Sequence, residues 1–359
     1  MLAFFVALCL FLKGDVIMTE KMNAVGFYEH LPLDNAQSLI DLTLDRPTAK
    51  EHDLLVKVSA ISVNPVDIAT RKNGHDKSER PRILGFDAVG TVVETGSDVT
   101  LFQKGDRVYY AGSFSRPGSY SDYELVDERI VALAPKKLDD VHAAAMPLTT
   151  LTAWEALFEQ LGIDPDDNET NNDKTILIIN GAGGVGSIAT QLAHYAGLHV
   201  IASASRPKTK EWALQHGADE IVDHHKNLID EVHALGHDNV NYILELNNLD
   251  NHWDEMVELI GPNGKMSSIT SNQKPLNLTA FKRKRVTFAW EWMFTKAFYH
   301  TADLSSQHEI LTQAAQLFDS GILRSTLNQT LQGINADNLK KAHAMIESGH
   351  TIGKIVLTK

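Results

Sequence analysis

The residues best suited to chemistry in this chain are glycines. Positions 175–186 read T-I-L-I-I-N-Gly181-Ala182-Gly183-Gly184-Val185-Gly186, a G-x-G-x-x-G run that closes an apolar strand and opens a helix. In that setting Gly181 permits the tight turn, Gly183 lets the backbone approach a pyrophosphate, and Gly186 lets helix pack closely on strand. Gly184 and Val185 complete the loop, whose free N–H groups and positive dipole end suit phosphate oxygens. The plain alternative is a glycine-rich turn with no ligand.

About twenty residues on, a dinucleotide site for NAD needs an acid for the ribose 2′-hydroxyl. Here the chain reads Ala202-Ser203-Ala204-Ser205-Arg206-Pro207-Lys208, with Lys210 behind it and no carboxylate. The Ser205 hydroxyl, the Arg206 guanidinium and the Lys210 ammonium suit a 2′-phosphate, which an acid would repel. The expected cofactor is therefore NADP(H). A solvated basic turn opening a helix is the other reading.

These residues need elements to hold them. From position 175 on, strands at 175–180, 199–203, 220–223, 242–246 and 265–269 alternate with helices at 184–196, 208–216, 227–235 and 251–260. That alternation predicts a parallel sheet with helices on both faces. Before it, short apolar runs at 53–59, 88–94, 107–111 and 119–126 lie between Gly, Pro, Asn and Asp, the pattern of a barrel or strongly bent sheet. A helical stretch at 140–159, interrupted at Pro147, and a polar loop at 164–174 join the two regions. After Phe281 come a basic-aromatic strand, helices at about 309–320 and 336–348, and a terminal strand at 353–357.

Composition sets outer limits. A chain of 359 residues, 43% hydrophobic, suggests two domains or two lobes. The formal charge of −13 argues against a nucleic-acid binder, which would carry a basic stripe. The single cysteine, Cys9, excludes an internal disulfide and a four-thiolate zinc site. The apolar run at 1–12 is too short to span a bilayer, has no basic residues before it, and leads into Lys13-Gly14-Asp15 instead of a small-residue cleavage site. Met18 opens a more ordinary cytosolic start, and codons for Lys-Gly-Asp permit a purine-rich AAGGAGA just upstream. Met1–Ile17 is thus expected to be a misplaced start, with a signal or anchor and an ordered extension as alternatives.

Together these motifs resemble the medium-chain dehydrogenase/reductase superfamily from about Met22 onward. Val63-Asn64-Pro65-Val66-Asp67 is similar to its V-N-P-x-D segment, and Gly85-Phe86-Asp87 through Gly96, then Gly105-Asp106, to its G-x-D-x-x-G-x-V…G-D-x-V signature. Gly118–Tyr123 and Ala143–Trp154 resemble the following strand and the helix entering the cofactor domain. Phe281-Lys-Arg-Lys with Trp290–Phe294 is similar to a quinone-oxidoreductase-like subgroup, often labelled zinc-type alcohol dehydrogenase-like. The resemblance implies an α/β protein with a GroES-like β-barrel lobe (22–145) and a doubly wound parallel Rossmann domain (146–285). Residues 286–359 would return to complete the barrel lobe and form a dimer edge, with 1–21 outside the fold. A cytoplasmic homodimer without membrane or nucleic-acid partners is expected.

The zinc label does not match the residues. Zinc members use thiolates and a G-H-E segment, but this chain reads Gly85-Phe86-Asp87 and has no cysteine after Cys9. No active-site metal is expected, and His224, His225, His233 and His237 are read as solvated. Without a Lewis acid, reduction of a quinone or α,β-unsaturated ketone is easier than alcohol oxidation, since the acceptor delocalises the incoming charge. Asn64 could donate to the developing enolate oxygen, or simply form the turn before Pro65. Asp67 could orient a water or a neighbour, or cap a helix. Thr149 and Thr150 match a position near the nicotinamide, with helix capping as the alternative. A Tyr that several quinone reductases carry after the N-x-x-D segment is replaced by Ile68-Ala69-Thr70-Arg71, leaving the proton donor to water or another Tyr. Trp290, Trp292, Met293 and Phe294 suit either a substrate-pocket wall or a dimer edge strand. The rival functions are a zinc-dependent alcohol dehydrogenase and a non-enzymatic NADPH-binding, sensor- or crystallin-like protein.

Overall fold

The computed structural model describes residues 20–359. The start-site expectation for Met1–Ile17 lies outside the described residues. The strand Lys21–Glu29 opens one residue before the expected boundary at Met22.

Continuous apolar runs such as Thr175–Ile179 (TILII) are buried on both faces, as a central parallel strand requires. Six strands lie side by side in the order Glu220–Val222, His199–Ser203, Thr175–Ile179, Val240–Glu245, Ile260–Ser268, Thr287–Trp290. All five pairings are parallel. The chain winds outward in one direction and then in the other from Thr175–Ile179, so a crevice opens beyond the carboxyl end of that strand. The sheet extends past the expected boundary at 285, because the strand Thr287–Trp290 pairs with Ile260–Ser268 before the chain turns back.

The second lobe is built on the long strand Asp53–Val63. At one end it pairs antiparallel with Lys354–Thr358, at the other with Tyr123–Asp127, and along its length with Asp87–Thr95. Register shifts at Leu55/Val56 and Val58/Ala60 bend it, as bulges do, so the sheet curls toward a barrel. A separate three-stranded sheet, Ile40–Asp45, Lys21–Glu29, Lys77–Ile83, adds to this lobe. The last of these carries Pro81 and is mostly exposed, which an edge strand tolerates. The run at 119–126 is a strand only over Tyr123–Asp127. Ser119 and Tyr120 instead donate their N–H groups to the carbonyls of Gly85 and Leu84.

Helices Asp140–Ala144 and Pro147–Trp154 bridge the lobes, with Pro147 at the first helical position where its missing N–H costs nothing. A π-helical turn, Glu155–Gln160, continues them. One apolar core runs through Val89 and Tyr109 of the barrel, Met146 and Leu151 of these helices, and Ile176 and Leu244 of the parallel sheet. The polar stretch at 164–174 contains a single helical turn, Asn168–Asn171, capped by the Asp167 carboxylate. Among the described residues no helix is long and apolar enough to cross a membrane.

Candidate active site

The glycine loop leaves the sheet through Asn180, which takes a left-handed φ of 71°. Side chains in the loop would not fit. A Cβ on Gly186 would lie 2.1 Å from the Asn180 carbonyl oxygen, and one on Gly181 would lie 2.7 Å from the Ala202 Cβ. Gly183 is the N-cap of the helix Gly184–Tyr195 and supplies no side-chain cap, so the first helical N–H groups remain available to an anion. Val185 is half-buried in the first turn of that helix. A cradle closed to any side chain but open at a helix start fits a pyrophosphate.

The predicted 2′-phosphate residues sit beyond it. Arg206 is the N-cap of the helix Pro207–Gln215, its N–H donating to the Thr209 hydroxyl at 3.0 Å. Its guanidinium donates to the His350 carbonyl at 3.1 Å, tying this turn to the loop before the last strand. Ser205 and Lys210 are half-buried, whereas Lys208 is exposed. A pair missed in the sequence completes the region. The Ser203 hydroxyl accepts from Asn180 N–H at 2.8 Å and lies 3.0 Å from His224 Nδ1. Burial, followed by the neighbouring His225, pushes the His224 pKa down, so its Nδ1 is free to accept from that hydroxyl. His224 is thus not simply solvated.

Asn64 and Asp67 come together, in roles set by their neighbours. Asn64 caps the helix Pro65–Lys72, and the Asp67 carboxylate folds back to accept from Asn64 N–H at 2.8 Å and Gly85 N–H at 3.1 Å. Burial raises the Asp67 pKa to about 7 even though these two donors and Lys354 favour its charge. Asp67 therefore braces the helix start against the Gly85–Asp87 turn. Asn64 is not a free donor. Its Nδ2 donates to Asp87 Oδ2 at 2.8 Å and to the Ser62 carbonyl at 3.4 Å, while its Oδ1 accepts from Lys354 Nζ. Donation from Asn64 to a substrate would have to replace one of these two Nδ2 contacts.

Lys354 is the residue that sequence reasoning missed. Its side chain is 3% exposed, and its ammonium lies 3.0 Å from Asp87 Oδ2 and 3.4 Å from the Val63 carbonyl. Gly353 donates its N–H to the Ala182 carbonyl at 3.0 Å, which lays the start of the last strand across the phosphate loop. A Cβ on Gly184 would meet Lys354 Cδ at 3.1 Å and Thr149 Cγ2 at 3.3 Å. The methyl of Thr149 thus faces the loop while its hydroxyl donates to the Met146 carbonyl at 3.2 Å. Thr150 is fully buried, and its hydroxyl has no hydrogen-bond partner among the described residues. The one available signal for Lys354 was a lysine opening an otherwise apolar strand, K-I-V-L-T.

Asp87 is saturated. Ser62 Oγ, Asn64 Nδ2 and Lys354 Nζ all donate to Oδ2, and Leu148 N–H donates to Oδ1 at 2.7 Å. The preceding Phe86 ring packs at 4.6 Å from Phe294 and 5.7 Å from Phe114. An aromatic ring and a carboxylate already paired with an ammonium are a poor donor set for zinc. Among the described residues, the one His/Asp/Glu group close enough to share a metal ion is His199, Glu220 and His237, at the other end of the parallel strands.

Behind Asp67 runs a buried polar chain. Arg71 Nε donates to His343 Nδ1 at 3.3 Å, which leaves His343 Nε2–H to face Tyr120 Oη at 3.2 Å. Burial, with Arg71 nearby, lowers the His343 pKa to about 3, so this ring is neutral. The Tyr120 hydroxyl is pushed well above the ordinary range by burial and then by the nearby Asp67 carboxylate.

The aromatic segment divides. Trp290 stays on the edge strand against Phe288, 48% exposed. Phe294 turns inward against Phe86 and Phe114, while Trp292, still 41% exposed, packs its ring edge against Phe114 and Phe298. Met293 is buried beneath them. Gly85, Phe86, Phe114 and Thr70 line a cavity of about 360 Å³ that Arg82 and Arg116 also border.

Known proteins resemble this chain in sequence and fold. Residues 50–136 match the alcohol dehydrogenase GroES-like domain and residues 216–357 a zinc-binding dehydrogenase model. A zinc-type alcohol dehydrogenase-like protein of Staphylococcus epidermidis is 41% identical over 336 residues, 94% of this chain and 99% of its own. The chloroplastic NADPH-dependent alkenal/one oxidoreductase of Arabidopsis thaliana is 34% identical over 272 residues, 73% of this chain and 66% of its own. A crystal structure from Rhizobium etli CFN 42, named as a candidate zinc-dependent alcohol dehydrogenase, is 43% identical with a TM-score of 0.89, covering 95% of this chain and 99% of that one. With a GroES-like lobe, a doubly wound parallel sheet and relatives of this extent, the chain is an oxidoreductase of the medium-chain dehydrogenase/reductase superfamily, in its zinc-type alcohol dehydrogenase-like branch.

Proposed function

We propose that this enzyme is a zinc-independent, NADPH-dependent reductase of quinones or α,β-unsaturated carbonyls. The observation that carries the reading is the Lys354 ammonium, buried between Asn64 and Asp87 with its stem against the phosphate loop. When bound, the nicotinamide supplies the hydride. The chain's part is to hold a positive charge where the acceptor oxygen becomes negative, in a site with little water to screen it. Asp87 and Asn64 fix Lys354 in place, and Asp67 fixes Asn64. The third Lys354 contact, to the Val63 carbonyl at 3.4 Å, is weak enough to be exchanged for a substrate oxygen. A β-carbon that accepts hydride leaves an enolate, which solvent protonates at the α-carbon; a quinone takes the hydride and one proton to give the hydroquinone.

Preference for NADPH is supported by Ser205, Arg206 and Lys210, by the absence of an acid in the turn, and by the cofactor named for the Arabidopsis relative. The reading includes a cytoplasmic homodimer that binds no nucleic acid and no membrane. The deciding experiment is NADPH consumption against a panel of quinones, enones and aldehydes, with and without a zinc chelator. Turnover of quinones or enones that survives chelation is the expected result. Turnover lost on chelation would favour zinc-dependent alcohol chemistry, and tight NADPH binding without turnover would favour a sensor.

A further inference from the structure

At the amino end of the parallel sheet, far from the glycine loop, two imidazoles meet one carboxylate oxygen. His199 opens the strand His199–Ser203, Glu220 opens Glu220–Val222, and His237 lies in the turn before Val240–Glu245. Glu220 Oε2 accepts from His199 Nε2 at 2.9 Å and from His237 Nε2 at 2.7 Å. Ligand atoms from all three residues lie within 4.8 Å of one another.

We propose that His199, Glu220 and His237 form a binding site for a divalent transition-metal ion of the zinc type, separate from the catalytic centre. Two imidazoles and one carboxylate are an ordinary protein donor set for zinc, with water completing the shell. At zinc–nitrogen and zinc–oxygen distances of about 2.0–2.1 Å, tetrahedral ligand atoms stand about 3.3 Å apart. The present spacings of 2.7 and 2.9 Å therefore need only a small opening as the cation replaces the two bridging protons. The side chains of His199, Glu220 and His237 are 36%, 27% and 24% exposed, which leaves room for water.

A further feature suits an ion. His199 Nδ1 lies 3.7 Å from the Asp219 carboxylate, so an acid stands on the far side of the ring from the site, where an outer partner orients a metal-binding imidazole. Asp219 is itself held by Val200 N–H at 2.7 Å. The ion would tie together the starts of two strands and the turn leading into a third. His199 pairs with Thr175, four residues before the end of the strand that feeds the glycine loop, so about 15 Å separates the site from the cofactor cradle.

The test uses the full chain, stripped of metal by a chelator and titrated with Zn²⁺, and then with Co²⁺ as a spectroscopic stand-in. The expected result is saturable binding of Zn²⁺ by the wild type, with a rise in Tm and Co²⁺ absorption bands of four- or five-coordinate intensity. Glu220→Gln and His237→Asn each lose about tenfold or more in affinity, while NADPH turnover is unchanged. His237→Asn leaves the His199–Glu220 contact in place, so it guards against a loss caused by misfolding. Absence of saturable binding, or binding equally tight in His237→Asn and wild type, would overturn the proposal and leave a hydrogen-bonded bridge only. The outcome is independent of the reductase reading. Zinc lost with these variants says nothing about catalysis, whereas zinc that persists in them must sit elsewhere.

Discussion

The ammonium of Lys354, five residues before the last position described, lies 3.0 Å from the carboxylate of Asp87 in the first lobe. Their side chains are 3% and 0% exposed. The pair joins the end of the chain to the turn that carries Gly85 and Phe86, beside the glycine loop. Removing one partner leaves a buried charge uncompensated. Lys354→Met should therefore cost about 3–5 kcal/mol of stability and abolish quinone turnover. Adding Asp87→Asn to it should recover much of the stability and none of the turnover. Denaturant unfolding and NADPH oxidation, measured on both variants, check this; a single variant with normal turnover would remove Lys354 from the mechanism.

Gly186 is closed to any side chain by the Asn180 carbonyl, 2.1 Å from where a Cβ would stand. Gly186→Ala must displace the loop backbone, so NADPH affinity should fall by about tenfold or more, equivalent to ~1.4 kcal/mol or greater. Titration of NADPH fluorescence measures it. Gly105→Ala, where a Cβ would meet nothing within 4 Å, is the control for a glycine whose need is its φ of +99° alone.

Arg206 tests the cofactor preference. Arg206→Asp places an acid where the 2′-phosphate is expected, and the ratio of kcat/KM for NADPH over NADH should drop by at least about tenfold, ~1.4 kcal/mol. An unchanged ratio would mean that Ser205, Lys210 or the Ser203–His224 pair carries the discrimination.

Asp67 links stability to pH. The folded protein holds this proton up to about pH 7, whereas the unfolded chain releases it near 3.8. Between those values unfolding releases a proton, so the contribution of Asp67 is fully present below the lower value and is lost as pH rises through the upper one. Asp67→Asn should flatten that fall. The readout is the difference in urea midpoint between wild type and variant across pH 4 to 8; a constant difference would contradict the raised pKa.

Among the described residues the edge strand Thr287–Trp290 has a neighbour on one side only, and Trp290 is 48% exposed on it. A homodimer that continues the sheet across this edge would cover both. Trp290→Lys should then shift the protein toward monomer, as sedimentation can measure, with little effect on the stability of the separate chain. A wild type that is already monomeric would end the dimer reading.

Much of the cofactor half was legible because its determinants are local. The run T-I-L-I-I-N-G-A-G-G-V-G prescribes a buried strand, a turn and a helix start within twelve residues, and the structure places Gly181, Gly183 and Gly186 where side chains would collide. The absence of an acid after Ala202 is equally a property of one short segment. Strands such as Lys77–Ile83 and Leu327–Gln332 were not legible, because their polar sequences acquire strand character only from the partners they pair with.

The catalytic half divides in the same way. The sequence by itself determined that no cysteine follows Cys9 and that positions 85–87 read Gly-Phe-Asp, since residue types are read directly. Tertiary structure decided what Asn64 and Asp67 do. Asn64 spends its amide on Asp87, Ser62 and Lys354, and Asp67 is a buried brace linked through Tyr120 and His343 to Arg71. His343 is 223 residues from Tyr120, and Lys354 is 267 from Asp87. No local pattern specifies such pairs. They exist because folding buries these polar groups together, and a buried polar group must find its partner wherever the chain returns.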